Sequence, residues 1–290
     1  MPEPNNPELA LRGTDSFTYA FYRHDPQRAD HFDVHYHGEY EIIYVPKGSF
    51  HYLAGGADYW LRPGEALFLD QYSIHAFLEP AQPCGSYQGI LFGKKFLFPS
   101  DTNPACRQFY EEIPPQRFSL TQKLTGATPW QQEILALIRR LLHLGRTPEE
   151  NALPIQISLL TILDILRQEQ AYTPIQNHLA TQNETVREAL FYIRRHFDKK
   201  LTVGGIADAL HISVNHFIRL FDRILGATPQ KYIQTFRLQQ AAALIRQDPS
   251  LPLSEVAART GFPDANYFTR SFKQIMETTP SQYRQTTKMQ

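Results

Sequence analysis

From about residue 14 to 98 the apolar positions fall in short runs. Examples are Tyr40-Glu41-Ile42-Ile43-Tyr44-Val45, Ser49-Phe50-His51-Tyr52-Leu53 and Ala66-Leu67-Phe68-Leu69. Turn chemistry at Pro46-Lys47-Gly48, Gly55-Gly56 and Pro63-Gly64 separates them. Short runs between such turns predict strands, and many of them predict a barrel or sandwich. From about 128 to 169 the period becomes helical. Ile134, Leu137, Ile138 and Leu141 form one apolar face, and Ile155, Leu159, Ile162, Leu163 and Leu166 another. Gly145 to Pro154 reads as the loop between these helices. Ile157, Leu160 and Ile165 lie off the second stripe, so that helix is apolar on more than one side. It is either sandwiched within the chain or packed against its mate in a second chain. Residues 171–183 are polar and aperiodic and read as a linker. Beyond about 184 the pattern is helical throughout.

The last hundred residues contain a repeat. Phe221, Ile224, Thr228-Pro229 and Tyr232 recur as Phe272, Ile275, Thr279-Pro280 and Tyr283 at an offset of 51, and Arg219 faces Arg270. Upstream the offset is 50, with Ile206-Ala207 against Val256-Ala257 and Ile212 against Phe262. One residue is therefore inserted near Pro263. A repeat of this length describes a small helical unit used twice. Each copy has the grammar of a helix-turn-helix, at about 203–224 and 253–276. In the first, Val203 to Leu210 is a short helix with small Ala207 where a second helix approaches. His211-Ile212 turns the chain, and Ser213 caps a helix from Val214 to Ile224. In the second, Leu253 to Thr260 is the short helix, Gly261 takes a positive φ, and Asp264 caps Ala265 to about Met276. His211 stands where Gly261 does, and His tolerates that backbone better than most residues. Pro229 begins a longer helix through Arg246, with Leu238, Ala241, Ala242 and Ile245 available to brace both copies.

The second helix of such a unit enters the major groove by its N-terminal part. Asn215, His216, Arg219 and Arg223 decorate the first, and Asn266, Thr269, Arg270 and Lys273 the second. Phe217, Leu220, Phe221, Phe268 and Phe272 face the other way. Arg pairs with guanine and Asn with adenine, each contact giving about 1–3 kcal/mol of discrimination. Singly, any of these residues also suits a solvated helix face; two matched sets favour a DNA-reading surface. The text ADALHISVNHFIRLFDRILGATPQKYIQTFRLQQAAALI and EVAARTGFPDANYFTRSFKQIMETTPSQYR resembles the DNA-binding domain of the AraC/XylS family of bacterial transcriptional regulators. The resemblance implies two helix-turn-helix units reading successive major grooves on one face of DNA, roughly 34–36 Å apart. By motif position it implies base contacts from Asn215, Arg219, Asn266, Thr269 and Arg270. Ala265 occupies a further such position with only a methyl to offer. Glu277 stands where the family commonly has Gly, while Gly226 keeps it in the first copy.

In the N-terminal text HYHGEYEIIYVPKG, His35, His37 and Glu41 share parity, so a continuous strand would project all three to one face. Gly48 closes that strand. His75, after Arg62-Pro63-Gly64-Glu65, is positioned to meet them inside a small barrel. The pattern resembles the first cupin motif; the second motif is degenerate, keeping a Pro-Gly turn and one His. Three imidazoles and a carboxylate suit Fe, Mn, Ni or Zn. The same groups also make a hydrogen-bonding pocket for a small effector, or satisfy one another. AraC-type sensor domains resemble cupins and mostly work without metal. The resemblance therefore implies effector contacts at His35, His37, Glu41 and His75, with no metal and no cofactor assigned.

With 42% apolar and 12% aromatic residues among 290, the chain supports two cores more naturally than one. Its 29 basic and 29 acidic residues argue against a disordered or a uniformly basic chain. The balance is uneven along the sequence. There are 14 basic and 20 acidic residues up to 182, then 15 and 9, which makes the C-terminal part the cationic one. No run approaches eighteen apolar residues, and the N-terminus lacks a signal pattern, so a cytoplasmic protein without a membrane span is expected. Cys84 and Cys106 read as small buried side chains. No nucleophile–base pair, phosphate-cradling glycine loop or CxxC pair suggests an enzyme.

The chain thus reads as an α+β multidomain protein. A cupin-like β-barrel with an N-terminal arm occupies 1–127, a helical dimerisation pair 128–170, a linker 171–183, and an all-α double helix-turn-helix 184–290. The expected function is a ligand-responsive regulator of a catabolic operon, an activator rather than a repressor. Its expected partners are double-stranded DNA, RNA polymerase, a small effector such as a sugar, and a second copy of itself. A DNA-binding dimer without an effector, and a metal-dependent cupin enzyme tethered to DNA, are the alternatives.

Overall fold

The computed structural model describes residues 19–24, 34–78, 85–175, 177–276 and 278–287. Cys84 and Glu277 lie outside these. Contacts divide the chain into two units. One holds the described residues up to Thr181 other than Val34 and His35; the second holds Val34, His35 and the residues from Gln182 onward. Among the described residues no helix is long and apolar enough to cross a membrane.

The first unit is built on strands β1 (Tyr19–His24), β2 (Tyr40–Lys47), β3 (Phe50–Ala54), β4 (Ala57–Leu61), β5 (Ala66–Leu69), β6 (His75–Leu78), β7 (Ser86–Phe92), β8 (Phe118–Ser119), β9 (Gln122–Leu124) and β10 (Thr173–Pro174). They pair antiparallel in three sheets, of order β1-β7-β2-β5-β9, β4-β3-β6 and β10-β8. The apolar run Tyr40–Val45 is explained by burial on both faces of β2. Tyr40 and Ile42 join Phe68 and Phe92 in a core shared with helices α3 (Pro129–Leu144) and α4 (Ala152–Gln168). Ile43 and Val45 point into a second core with Phe50, Tyr52, Leu67, Leu69 and Leu91. Each fully buried Leu, Ile or Phe stabilises by about 1.5–3 kcal/mol, so neither face of β2 is dispensable. Glu41 has the parity of Ile43 and Val45 and is carried inward with them.

Several expectations need correction. His35, His37 and Glu41 do not share a continuous strand, because β2 begins only at Tyr40 and Gly38-Glu39 forms a bend. That bend is held from outside the segment. The Tyr72 N–H donates to the His37 carbonyl (2.8 Å), and Gln71 Nε2 donates to the Gly38 carbonyl (2.8 Å). The stretch 171–183 is not an open linker, since Thr173–Pro174 pairs with β8 and helix α5 (Asn177–His196) has already begun. The Tyr172 ring packs on Phe118 at 5.0 Å, anchoring the segment. The loop after α3 ends at Asn151, and Pro154 sits in the first turn of α4, where a missing N–H costs nothing. Two helices, α1 (Lys94–Leu97) and α2 (Pro104–Glu112), also fall within the part read as barrel. Asn103 caps α2 by accepting from the N–H groups of Ala105 and Cys106.

The C-terminal unit continues with α6 (Val203–Ala209), α7 (Val214–Leu225), α8 (Pro229–Gln247), α9 (Leu253–Arg259), α10 (Ala265–Met276) and α11 (Pro280–Thr287). The repeat is visible in the starting positions: α6 and α9 begin 50 residues apart, whereas α7/α10 and α8/α11 begin 51 apart. Thr202, Ser213, Thr228 and Asp264 each accept a backbone N–H three residues on, as N-caps do. Leu238, Ala241, Ala242 and Ile245 of α8 lie in the core of the second copy, with Val256, Ala257, Phe268 and Phe272. Toward the first copy α8 presents Tyr232, whose ring meets Phe221 at 5.6 Å.

Candidate functional site

Two places carry the residues singled out by the sequence. The first is the pair of reading helices, α7 and α10. Their inner faces bury Phe217, Leu220, Phe221 and Ile224, and Phe268, Ser271 and Phe272. Asn215, His216, Arg219 and Arg223 are exposed on α7, and Ala265, Asn266, Thr269, Arg270 and Lys273 on α10. The division follows from helical period, because residues three and four apart share a face. Val214 and Tyr267 are exposed at the front of the same helices, and the sequence reading passed over both. Tyr267 is held there by Gln234, whose Nε2 donates to its hydroxyl at 3.2 Å. The Thr269 hydroxyl donates to the Ala265 carbonyl (2.8 Å), so its oxygen is left to act as an acceptor.

The second place is the interior of the barrel unit, where His37, Glu41 and His75 come together. Glu41 Oε2 lies 3.3 Å from His37 Nε2 and 3.0 Å from His75 Nε2, and the two rings meet edge to face at 5.0 Å. All three residues are buried, Glu41 completely. Burial alone would push the Glu41 carboxyl up, but hydrogen bonding and positive charge at His37 and His75 hold it well below the ordinary carboxylate range. Glu41 arrives from the large sheet, His75 from the first position of β6 in the smaller one, and His37 from the bend before β2. The fourth expected member, His35, is buried but belongs with the C-terminal unit. There Val34 is also buried, and its carbonyl accepts from Arg194 Nη2 (3.1 Å) and the Tyr232 hydroxyl (3.3 Å).

A residue the sequence reading missed completes the interior cluster. The Tyr22 hydroxyl donates to Glu41 Oε1. It reaches there because Tyr22 pairs across the sheet with Gly89, where a Cβ would lie 1.9 Å from the Tyr22 ring. Only hydrogen at that position leaves room for the ring.

The reading helices correspond to a known fold. Residues 206–286 match the model of a helix-turn-helix domain, and residues 18–158 match that of an AraC-like ligand binding domain. The chain belongs to the AraC family of transcriptional regulators. The HTH-type transcriptional activator RhaS of Enterobacter sp. (strain 638) is 23% identical over 261 residues, covering 90% of this chain and 89% of its own length. The HTH-type transcriptional regulator YdeC of Bacillus subtilis (strain 168) is 22% identical over 258 residues, covering 87% and 85%. Among solved structures, the C-terminal domain of AraT, a response regulator from Geobacillus stearothermophilus, is 34% identical. It covers 35% of this chain and 84% of that domain, with a TM-score of 0.34.

In this AraC-family chain the helix-turn-helix unit binds DNA and the barrel unit is a ligand-binding domain. The barrel unit also bears a cleft of about 480 Å³ on the side of the large sheet that faces α3, lined by Arg23, Tyr44, Gln88, Arg139, His143 and Arg146. It is a cationic surface that periodicity could not reveal, because it joins β1, β2 and β7 to one helix.

Proposed function

We propose that this AraC-family chain is a ligand-responsive activator of a catabolic operon, acting as a homodimer whose barrel interior contacts a small polar metabolite such as a sugar. The observation that carries the DNA-reading part is the matched exposure of Asn215 with Asn266 and Arg219 with Arg270 on two helices of one repeat. These four reach base edges, joined by Thr269, while Val214, Ala265 and Tyr267 offer apolar contacts to thymine methyls. His216, Arg223 and Lys273 hold phosphates and fix the register. A homodimer is supported by α4, where Leu153 is 66% and Ile157 53% exposed on the face opposite the buried stripe. Activation by recruitment of RNA polymerase is supported by the activator RhaS among the relatives. Effector contact at His37, Glu41 and His75 is supported by their burial as a polar cluster in an apolar core, with His35 next to them in sequence. For the effector to matter it must favour one arrangement over another, typically by about 1–3 kcal/mol.

The test is footprinting upstream of the chain's own and neighbouring genes, with and without a panel of sugars and related metabolites. Protection of two successive major grooves, altered by one ligand class, is the expected result. Protection that survives unchanged in Arg219→Ala and Arg270→Ala would remove the reading-helix assignment.

A further inference from the structure

Strand register and helical period bring a set of cations together outside the barrel interior. Arg23 of β1 pairs with Gln88 of β7, and Gln88 with Tyr44 of β2, so the three side chains form one row across the large sheet. The row of the same parity beside it, Phe21, Ile90 and Ile42, belongs to the core that the sheet shares with α3 and α4. Arg23, Gln88 and Tyr44 therefore stand on that outer face, next to the apolar core. Gly145, the residue after α3, seats the helix end there, since a Cβ on it would meet the Phe21 ring at 2.4 Å. Arg139, Leu142 and His143 on α3 and Arg146 just beyond it are three or four residues apart and share one side of the helix. Sheet row and helix side are the walls of the cleft of about 480 Å³.

Three guanidiniums and an imidazole line this cleft, and among the described residues no acidic side chain does. The side chains of Arg139, His143 and Arg146 are exposed, and among the described residues no hydrogen bond or ion pair engages them. Glu149, the next acid along the chain, acts instead on Tyr19, at the far end of β1. Residues up to 182 hold 14 basic against 20 acidic side chains, so a cluster of cations without an acid runs against the charge of its surroundings. A helix C-terminus favours cations, which accounts for His143 and Arg146 but not for Arg139 a turn earlier or for Arg23 on a strand.

We propose that this cleft binds a small organic phosphate. A phosphate monoester brings a charge of about −1.5 to −2 and three acceptor oxygens, and the guanidinium fork matches those oxygens in pairs. A single carboxylate would leave most of the positive charge uncompensated. Gln88 and the Tyr44 hydroxyl, in the same row as Arg23, offer donors and acceptors to hydroxyl groups on the carbon skeleton, and Phe21 and Leu142 an apolar wall. The volume falls in the range of roughly 300–1,000 Å³ that small-molecule sites occupy. A phosphate held by Arg23 on one side and Arg139 and Arg146 on the other ties β1 to α3. Tyr44 and Glu41 lie on opposite faces of β2, so this site is separate from the cluster of His37, Glu41 and His75 and does not rest on the effector reading given to that cluster.

The experiment titrates the full chain calorimetrically with inorganic phosphate, glycerol phosphate and ribose phosphate, against glycerol, ribose, succinate and sulfate at equal ionic strength. Thermal melts follow the same series. Saturable binding of a phosphate ester, one per chain, with a raised melting temperature is expected, and the unphosphorylated compounds should produce neither. Arg139→Gln and Arg146→Gln should each weaken binding roughly 10–100-fold, as loss of a hydrogen bond between charged groups does. Both side chains are exposed, so neither change disturbs the core. Arg140→Gln, exposed on α3 but outside the cleft, should leave binding unchanged. The double variant Arg219→Ala with Arg270→Ala should leave it unchanged as well; weakening there would move the phosphate to the reading helices and overturn the proposal. No saturable binding of any of the three phosphates at millimolar concentration overturns it, as does equal weakening in Arg140→Gln or tighter binding of succinate than of the esters. Cleft variants that lose affinity for operator DNA, in a chain that binds no small phosphate, would make the cleft a contact to the DNA backbone instead.

Discussion

His211 and Gly261, fifty residues apart, hold the same left-handed turn, at φ 56° and 76°. Their surroundings differ. A Cβ at Gly261 would lie 2.2 Å from the Phe197 carbonyl oxygen and 2.9 Å from Arg237 Nη2. Arg237 is itself fixed, donating through Nε to that carbonyl (2.8 Å) and through Nη2 to the Lys199 carbonyl (2.7 Å). Gly261→Ala therefore meets both an unfavourable φ and a backbone oxygen that cannot yield. It should destabilise the C-terminal unit by roughly 2–4 kcal/mol in urea denaturation. His211→Gly should change stability by less than about 1 kcal/mol, since the turn already suits glycine. Equal losses in both variants would contradict the close approach at Gly261.

Gly89→Ala should act on Glu41 without touching it. The added methyl displaces the Tyr22 ring and removes its hydroxyl from Glu41 Oε1, a bond to a charged group that contributes about 1.5–3 kcal/mol. In a double-mutant cycle with Tyr22→Phe the two effects should overlap rather than add. Strict additivity in thermal melts would show that Gly89 does not act through Tyr22.

Arg219→Ala and Arg270→Ala should each cost about 1–3 kcal/mol at one operator position and relax preference there. Lys273→Ala should weaken binding to all sequences alike and lower the salt slope by about one. Gel shifts over single-base operator variants at several salt concentrations separate these behaviours.

Leu153→Glu with Ile157→Glu should disperse a homodimer seated on α4 while leaving the fold intact, because both side chains already face solvent in the single chain. Sedimentation velocity reads the outcome. An unchanged sedimentation coefficient would place any dimer contact elsewhere.

Asp70 gives the barrel unit a pH dependence of its own. Burial pushes its carboxyl up to about 6, against the downward pull of N–H donation from Leu120 and Gln71. The groups facing it are those two amides and the hydroxyls of Tyr40 and Tyr110. A folded-state value above the unfolded one means the fold prefers the neutral acid. The penalty is absent below about pH 4 and complete above about pH 6, where it reaches about 3 kcal/mol. This group's contribution should therefore make stability fall as pH rises from 4 to 6. Asp70→Asn should flatten that portion of the urea-midpoint profile, with a constant offset for the acceptor it loses.

The C-terminal unit was legible almost to the residue. Its helices carry apolar residues at helical spacing, α6, α7, α8 and α10 begin at Thr, Ser or Asp caps, and the shift from an offset of 50 to 51 located the inserted residue. The barrel was legible only along single strands. The run Tyr40–Val45 signalled a doubly buried strand, but the shape of the segment from His35 to Glu39 depends on Gln71 and Tyr72, more than thirty residues away. Parity reasoning assumed a strand there and had no local reason not to. Tyr22 stayed hidden for a related reason: its role requires knowing that β1 lies beside β7, opposite Gly89. The start of α5 was missed because residues 177–182 hold a single Leu-Ala pair and no apolar stripe, while the buried positions of the helix, Val186, Ala189, Leu190 and Ile193, come later.

The inserted residue near Pro263 belongs to a wider inequality between the two copies. Asn215 and Arg219 have identical counterparts in Asn266 and Arg270, but Val214 is matched by Ala265, His216 by Tyr267, and Asp222 by Lys273. One polypeptide thus presents two dissimilar probes in a fixed order. The stretch of duplex it grips has a head and a tail, and even a lone subunit bound to it points one way along the chromosome.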